Sequence, residues 1–526
     1  MPTSIDAAAM APSTLDLFIL TFNCAKTFIN PPVFAAHLHG AFAAQNTADL
    51  PDLVVFSLQE VAPLSYAFIG SYFLNSYYAR FGEALNLASA KVLATADSDD
   101  ERAPLSAAAP RGRSPPQYTL VRAKNVGMTA ILMYARDPTS VRNIEEAECG
   151  FGAADMGNKG AVGLRVTWSG QADETGLSKT TELTFHRRRP DLRQPTNPPP
   201  RRLPRRPSRP HPRPHRRRRK LIPPPPNRRQ SRPPAKKNKK SSSPQKKKRK
   251  LTHPLLTHPQ LPPTTSTTTL AALHSLSIYK PTSHLFVAGD LNYRISNTTP
   301  PPSSTFPSFD PSSEHHHSHF LPRDQLTRER RAGRALHGLA EAPVRFGPTY
   351  KFDVLDGAAV RAGREVDGVP EVPWRFAPHR WPGWCDRVLY LDVPRWVSGP
   401  SKREEEKVRV QVDAYDALPL MACSDHRAVY FRARVPVLDA EEMAPPAGME
   451  ADEDGLVAEE SGGMVDPRVR MPVPVDVHAW ERRAAGRRKE MVVGWTALVW
   501  STREGAVLLA TLLALGVGSW WLDQEI

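Results

Sequence analysis

The sequence predicts an α+β chain whose folded part is followed by one membrane-spanning helix. Three observations carry this. Short apolar runs recur between Leu15 and Val437 and end on polar residues, the mark of buried strands. Helix-like segments at 65–87 and 323–340 lie between them. Residues 505–522 are uncharged throughout.

Residues 15–24 form the first expected strand, ending on Asn23. Residues 52–60 form the second and end on Glu60. Helix is expected at 65–87, then an Ala-, Ser- and Asp-rich excursion at 89–116. A hairpin follows at 118–135. In the stretch 150–166, glycines flank Lys159, so a tight turn can bring amides and one ammonium towards an anion. The spacing is wrong for a Walker loop. A strand at 182–185 then fails.

From 186 to about 270 the composition changes. Residues 186–250 hold 27 Lys and Arg against one acid, Asp191. The chain's net charge of +16 therefore belongs to this insert, and the remainder is acidic. Dense proline and few large apolar residues forbid regular structure and a core, so the insert is expected to be disordered. Nucleic acid is accordingly not expected as the folded part's partner.

Folded sequence resumes near Leu270. Residues 284–295 are the centre of the reading: an apolar run stops at Gly289 and delivers Asp290 and Asn292 to a strand end. Two residues apart on an extended segment, they share a face. A carboxylate and an amide oxygen there suit a hard cation and a polarised water. Tyr293 and Arg294 follow, the latter suited to bidentate phosphate binding. Residues 300–321, with His315, His316 and His317, read as a low-complexity loop. Helix is expected at 323–340. Tyr350 and Lys351 follow Pro348, Asp386 precedes one strand, and Asp425 with His426 precedes another. An acid beside a histidine orients the imidazole and stabilises its cation.

Cys24, Cys149, Cys385 and Cys423 lack metal-ligand spacing and suggest a reduced, cytosol-facing protein. Residues 1–14 read as a disordered N-terminus without a secretory signal. Residues 438–490 read as an acidic, then basic, linker before a membrane tail at 491–526. As helix, 505–522 spans roughly 27 Å, enough for a thin bilayer core, with Trp520 and Trp521 at an interface. Basic residues before the span keep the folded part on the cytosolic side. The short span favours the endoplasmic reticulum membrane.

Taken together, Gly289–Arg294, Pro348–Phe352, Pro382–Arg387 and Ser424–Arg427 resemble the inositol polyphosphate 5-phosphatases, within the endonuclease/exonuclease/phosphatase superfamily. The resemblance covers 15–437 apart from the insert. It implies a four-layer α/β sandwich, two packed sheets flanked by helices, with the named residues at one rim. It implies that Glu60, assisted by Asn23 and with Asp425 nearby, holds Mg²⁺. Asp290 would position or deprotonate the attacking water, Asn292 would bind phosphate, and His426, oriented by Asp386, would meet the phosphoryl group. Whether Asp290 or His426 is the base stays open. Lys159, Tyr293, Arg294, Tyr350, Lys351 and Arg380 would read the phosphates of an inositide, with phosphatidylinositol 4,5-bisphosphate foremost.

One departure stands out. The family carries a phosphate-binding His after a segment like Leu183-Thr184-Phe185, and His186 arrives about three residues early. Residues 186 to about 270 read as intronic or out-of-frame sequence, an expectation that a transcript crossing the junction in frame would defeat. Two other functions fit the same residues: an endonuclease-like phosphodiesterase, and an inactive homologue whose basic insert binds anionic lipid or RNA. Oligomeric state is not specified by the sequence.

Overall fold

The structure, a computed structural model, describes residues 13–43, 49–70, 72–99, 116–170, 178–187, 267–355, 365–399, 406–446, 449, 465–501 and 503–525. Chain contacts divide the protein into a large unit, 1–191 with 260–526, and a small one, 192–259, which lies outside the described residues. The expected disorder of the insert therefore falls outside them, apart from its two ends.

Two mixed sheets make the centre of the large unit. The first has six strands: β1 (Thr14–Asn23), β2 (Leu53–Gln59), β3 (Thr119–Val126), β4 (Thr129–Ala135), β14 (Gln411–Ala417) and β15 (Val429–Pro436), in the order β14-β15-β1-β2-β4-β3. The second has five: β5 (Val141–Gly150), β6 (Gly160–Ser169), β7 (Thr180–Arg187), β8 (Ser283–Asp290) and β13 (Asp386–Leu391), in the order β13-β8-β7-β6-β5. Only β1–β2 and β7–β8 run parallel; the other pairs are antiparallel. Two small ribbons, β9 (Phe352–Val354) with β12 (Trp374–Phe376) and β10 (Glu365–Val366) with β11 (Val369–Pro370), lie outside the sheets.

Side-chain alternation explains the layering. In β1, Leu15, Leu17 and Ile19 enter the core between the sheets, where Leu183, Phe185, Phe286 and Val388 meet them. The alternate residues Phe18, Leu20 and Phe22 pack on helices α1 (Pro31–Ala43) and α3 (Tyr72–Asp99). On the far side of the second sheet, Leu285, Val287, Leu389 and Leu391 bury Leu326, Leu336 and Leu339. Leu326 lies on α5 (Gln325–Arg331). Strands buried on both faces read as continuous apolar runs, which is why the sequence displays them so plainly. Ser57 Oγ donates to the Ala288 carbonyl at 2.9 Å and ties one sheet to the other. The result is the expected α+β four-layer sandwich.

Several elements depart from expectation. The helix expected at 65–87 is α2 (Leu64–Ile69) followed by α3, and α3 continues to Asp99. Phe81, Ala84, Leu85, Ala88 and Val92, spaced three and four apart, give it a buried stripe well past Leu87. The helix expected at 323–340 is only α5, because Gly333, Leu336 and Gly338 adopt positive φ of 63°, 51° and 73° and turn the chain. The 300–321 loop is ordered, and His317 is buried against Phe309 and Trp384. Burial, with His316 and Arg427 nearby, lowers its pKa to about 4. Strand β7 passes Phe185 and reaches Arg187, and α4 (Thr267–Leu276) begins before Leu270. Short helices α6 (Arg395–Ser398) and α7 (Ala440–Met443) complete the body. Residues 479–490, read as linker, belong instead to α8 (Ala479–Ser501), which packs on α2. Helix α9 (Arg503–Glu525) follows. The four cysteines form no disulfide.

Candidate active site

Strand registers bring the polar strand ends to one rim. Asn23 is level with Gln59 across the parallel β1–β2 pair, and Asp290 is directly opposite Asp386. Thr21 pairs with Val429, so the turn holding Asp425 and His426 lies at the same edge. Gly160 opens β6 at the corresponding edge of the second sheet, which places the Lys159 loop there. Chain direction reverses sharply at this rim: Ala25, Lys26, Glu60 and Asn292 all adopt positive φ, between 46° and 66°. Such strained backbone concentrates at functional sites.

A chain of polar side chains runs through the rim, hydrogen-bonded on either side of a contact between Asn23 and His426. Asn292 donates to Asp290 Oδ1 from its backbone N–H, at 2.9 Å, and from Nδ2, at 2.6 Å. Asn23 Nδ2 donates to Asp290 Oδ2 at 3.2 Å and lies 3.4 Å from His426 Nε2. His426 Nδ1 is 2.8 Å from Asp386 Oδ2. Thr349 Oγ1 donates to the same oxygen at 2.7 Å while accepting from the Cys385 and Asp386 N–H groups. The chain joins residues from β1, β8, β13 and three loops, and Asp290, Asp386 and His426 are all buried.

This arrangement sets the charge of the histidine. Burial alone lowers the His426 pKa, but the charge and hydrogen bond of Asp386, with Asp290 and Asp425 beyond, raise it to about 9. Nδ1 is held by Asp386, which leaves Nε2 as the working nitrogen. The Tyr350 ring lies 4.4 Å from the imidazole, and the Arg294 guanidinium sits over that tyrosine at 5.1 Å.

A second group adjoins this chain. Lys26 Nζ is 2.5 Å from Glu60 Oε2, and Lys351 Nζ is 2.5 Å from Asp425 Oδ2. Both pairs line one open cavity of about 660 Å³. Burial works against the Asp425 carboxylate, but His426 and Lys351 hold its pKa below the usual range. Among the described residues, no cluster of three or more His, Cys, Asp or Glu side chains is arranged to hold a metal. The donors still suit a hard divalent cation, which takes carboxylate oxygens as ligands. Glu60 and Asp425, two carboxylates lining one cavity, are oxygen donors of that kind.

Most residues chosen from the sequence meet here: Asn23, Asp290, Asn292, Arg294, Tyr350, Lys351, Asp386, Asp425 and His426 by contact, and Glu60 through the shared cavity. Lys159 and Arg380 are exposed and no described contact joins them to the chain. Tyr293 departs from expectation. It is buried in the apolar cluster with Leu285, Leu291 and Leu326, so it packs the core and is not offered to phosphate. His186 is level with Val287, three residues short of Asp290, which keeps it from the rim. Sequence reasoning missed Thr349, Ser424 and Lys26. Thr349 and Ser424 stand inside the recognised motifs, and their hydroxyls cap neighbouring backbone groups; Ser424 Oγ donates to the Asn23 carbonyl at 2.6 Å. Lys26 had no signal, being one lysine in a loop.

A fold of two packed sheets with an Asp–His pair and oxygen ligands at one rim defines a phosphoesterase-like scaffold. The chain belongs to endonuclease/exonuclease/phosphatase family 2, whose model matches residues 20–178 and 242–432. It is similar to a type IV inositol polyphosphate 5-phosphatase of Arabidopsis thaliana, 34% identical over 176 residues, 32% of this chain and 21% of the relative. A probable inositol polyphosphate 5-phosphatase of Schizosaccharomyces pombe is 30% identical over 148 residues, 28% of this chain and 10% of that protein. These matches span 21% and 10% of the two relatives' length. Among solved structures, the 5-phosphatase domain of spsynaptojanin, in complex with inositol (1,4)-bisphosphate and calcium, aligns over 82% of this chain and 88% of that one, with 18% identity and a TM-score of 0.43. The kinship expected from the motifs is therefore met.

Proposed function

We propose that the protein is a metal-dependent phosphoinositide 5-phosphatase, hydrolysing the 5-phosphate of phosphatidylinositol 4,5-bisphosphate or a related inositide. One observation carries the reading: the Asn292–Asp290–Asn23–His426–Asp386–Thr349 chain, which assembles an acid, an amide pair and a cationic imidazole from distant parts of the sequence.

The residues divide the work as follows. Asp290, fixed on both oxygens by amides, accepts the proton of the attacking water or orients it. His426, held through Nδ1, presents Nε2–H to the phosphoryl oxygens or the departing inositol oxygen. Asn292 and Arg294 bind phosphate oxygens, with Arg294 aligned over Tyr350. Lys351, Lys159 and Arg380 supply positive charge for the remaining ring phosphates. Glu60, Asn23 and Asp425 hold Mg²⁺, which supplies charge neutralisation for the phosphate and the leaving oxygen. Lys26 and Lys351, which pair with these carboxylates, would have to release them to the metal.

The tail supports a lipid substrate. Residues 505–524 of α9 are long and apolar enough to cross a membrane, the one such helix among the described residues, and only 6% of the span is buried. Val507, Leu508, Leu512, Leu513 and Leu515 stand exposed, as a bilayer-embedded helix requires. Arg487, Arg488 and Lys489 precede it, so the folded body sits on the cytosolic side, at the endoplasmic reticulum membrane.

The test is phosphate release from water-soluble inositol phosphates and from vesicles of each phosphoinositide, with Asp290→Ala as control. Phosphate released from the 5-position, lost on metal chelation and in the variant, supports the reading. Cleavage of nucleic acid without phosphate release replaces it with the phosphodiesterase reading. Lipid binding without turnover replaces it with the inactive binder.

A further inference from the structure

Helix α8, which leads into the membrane span, is joined to the body by more than apolar packing. Arg483, Gly486, Glu490 and Gly494, spaced three and four apart, make one buried face. One of these positions requires glycine, since a Cβ on Gly486 would lie 2.4 Å from the Asp155 carbonyl, and one on Gly494 would fit tightly against Phe68 at 3.0 Å. Arg487 donates to the carbonyls of Phe68 and Ile69, closing the end of α2.

Glu490 is fully buried. Its Oε1 accepts the Gly157 N–H at 2.6 Å, and its carboxylate is held by Arg483, at 3.0 Å on Oε2, and by Arg487 at 3.3 Å. Arg483 Nε also lies 3.2 Å from Glu148 on β5. Lys489 Nζ donates to the Ala154 carbonyl at 3.3 Å. Helix α8 thus grips the β5–β6 loop at Ala154, Asp155 and Gly157, two residues before Lys159. The far side of Gly157 is pinned as well. Its carbonyl abuts Gly127, where any Cβ would approach to 2.1 Å. The next residue, Met128, accepts the Val61 N–H at 3.0 Å, immediately after Glu60. Docking a helix needs no buried carboxylate, since apolar residues of similar volume serve as well or better. A directional acceptor aimed at one loop amide does something else: it fixes where that loop stands.

We propose that Glu490 is a positioning residue for the rim, setting the Lys159 loop through the Gly157 amide. The helix at the membrane surface is then a working part of the site and not a stalk. The proposal rests on the phosphatase reading above for its kinetic consequence, and on the loop alone for its structural one.

The test uses the full chain in nanodiscs, with Glu490→Ala, Glu490→Gln, Lys159→Ala and the Glu490→Ala/Lys159→Ala pair, on water-soluble inositol trisphosphate. Glu490→Ala should raise KM about tenfold, the scale of one charge-assisted hydrogen bond, with kcat changed less than about threefold. Once Lys159 is removed, Glu490→Ala should add less than about twofold. Glu490→Gln keeps an oxygen for the Gly157 N–H and should fall between, which guards against a variant that merely unfolds. Hydrogen exchange at the Gly157 amide should accelerate in Glu490→Ala whether or not the protein turns over. An unchanged KM with a lowered melting temperature overturns the proposal in favour of simple docking. Fully multiplicative effects of the two substitutions, or unchanged exchange at Gly157, overturn it too. If wild type releases no phosphate, the phosphatase reading fails, and the exchange result alone decides the positioning of the loop.

Discussion

Replacing Asp386 with asparagine keeps the size of the side chain and can keep its bond to His426 Nδ1, but removes the charge. The Asp386 oxygen lies 2.8 Å from that nitrogen and both residues are buried, so solvent screening is slight. The rise of the His426 pKa from 6.5 to about 9 is worth roughly 3 kcal/mol of preference for the imidazolium. Among the groups raising it, Asp386 contributes most. If the transition state uses that cation, kcat/KM at neutral pH should fall about 10²-fold or more in Asp386→Asn. The sign for stability follows from the same shift. A histidine whose folded pKa exceeds its unfolded value stabilises the protein fully below pH 6.5, and that stabilisation fades as pH rises through about 9. Urea unfolding of metal-stripped wild type should therefore show a loss between about pH 6.5 and about pH 9 that the variant lacks, and an NMR titration of His426 should move down in the variant. Activity retained within about threefold, or a His426 pKa still near 9, would refute the reasoning.

The other predictions concern the base, phosphate binding, the core and the tail. Asp290→Asn should lower kcat by about 10²–10⁴-fold with KM nearly unchanged, measured by phosphate release, because it removes a proton acceptor and spares the binding cations. Arg294→Lys should raise KM about tenfold in the same assay, since an ammonium can neither make the bidentate contact nor stack on Tyr350 in the same way. His284 is buried with Nε2 at 3.1 Å from the Pro436 carbonyl, and burial, with Arg468 nearby, lowers its pKa to about 3. Its neutral form stabilises the fold above pH 6.5, and the cost of acid grows to about 2 kcal/mol by about pH 5; urea midpoints of wild type and His284→Gln compared at both pH values should show the difference shrinking. Deleting residues 503–526 should move the protein from the carbonate-resistant membrane pellet to the supernatant, and a pellet unchanged by the deletion would contradict the anchor.

The strands were legible because both faces of each sheet are covered, so β1, β2, β8 and β13 appear as unbroken apolar runs with a polar residue where the run stops. The uncharged span of α9 was legible because no charged residue interrupts it from 505 to 522. The motifs around Asp290, Asp386 and His426 pointed to the family, since strand ends are where this topology gathers side chains. Lengths of surface helices were not legible. Local turns at Gly333 and Gly338 ended α5, while a buried stripe carried α3 past its expected limit. Nor could the sequence separate Tyr293 from Arg294: adjacent residues at a strand end go to opposite sides, and only the packing of Leu291 and Leu326 decides which side is core. The pairing of Lys26 with Glu60 and of Glu490 with Gly157 joins residues 34 and 333 positions apart. Such contacts leave no periodic trace, because they depend on how separate elements are brought together and not on the pattern within any one of them.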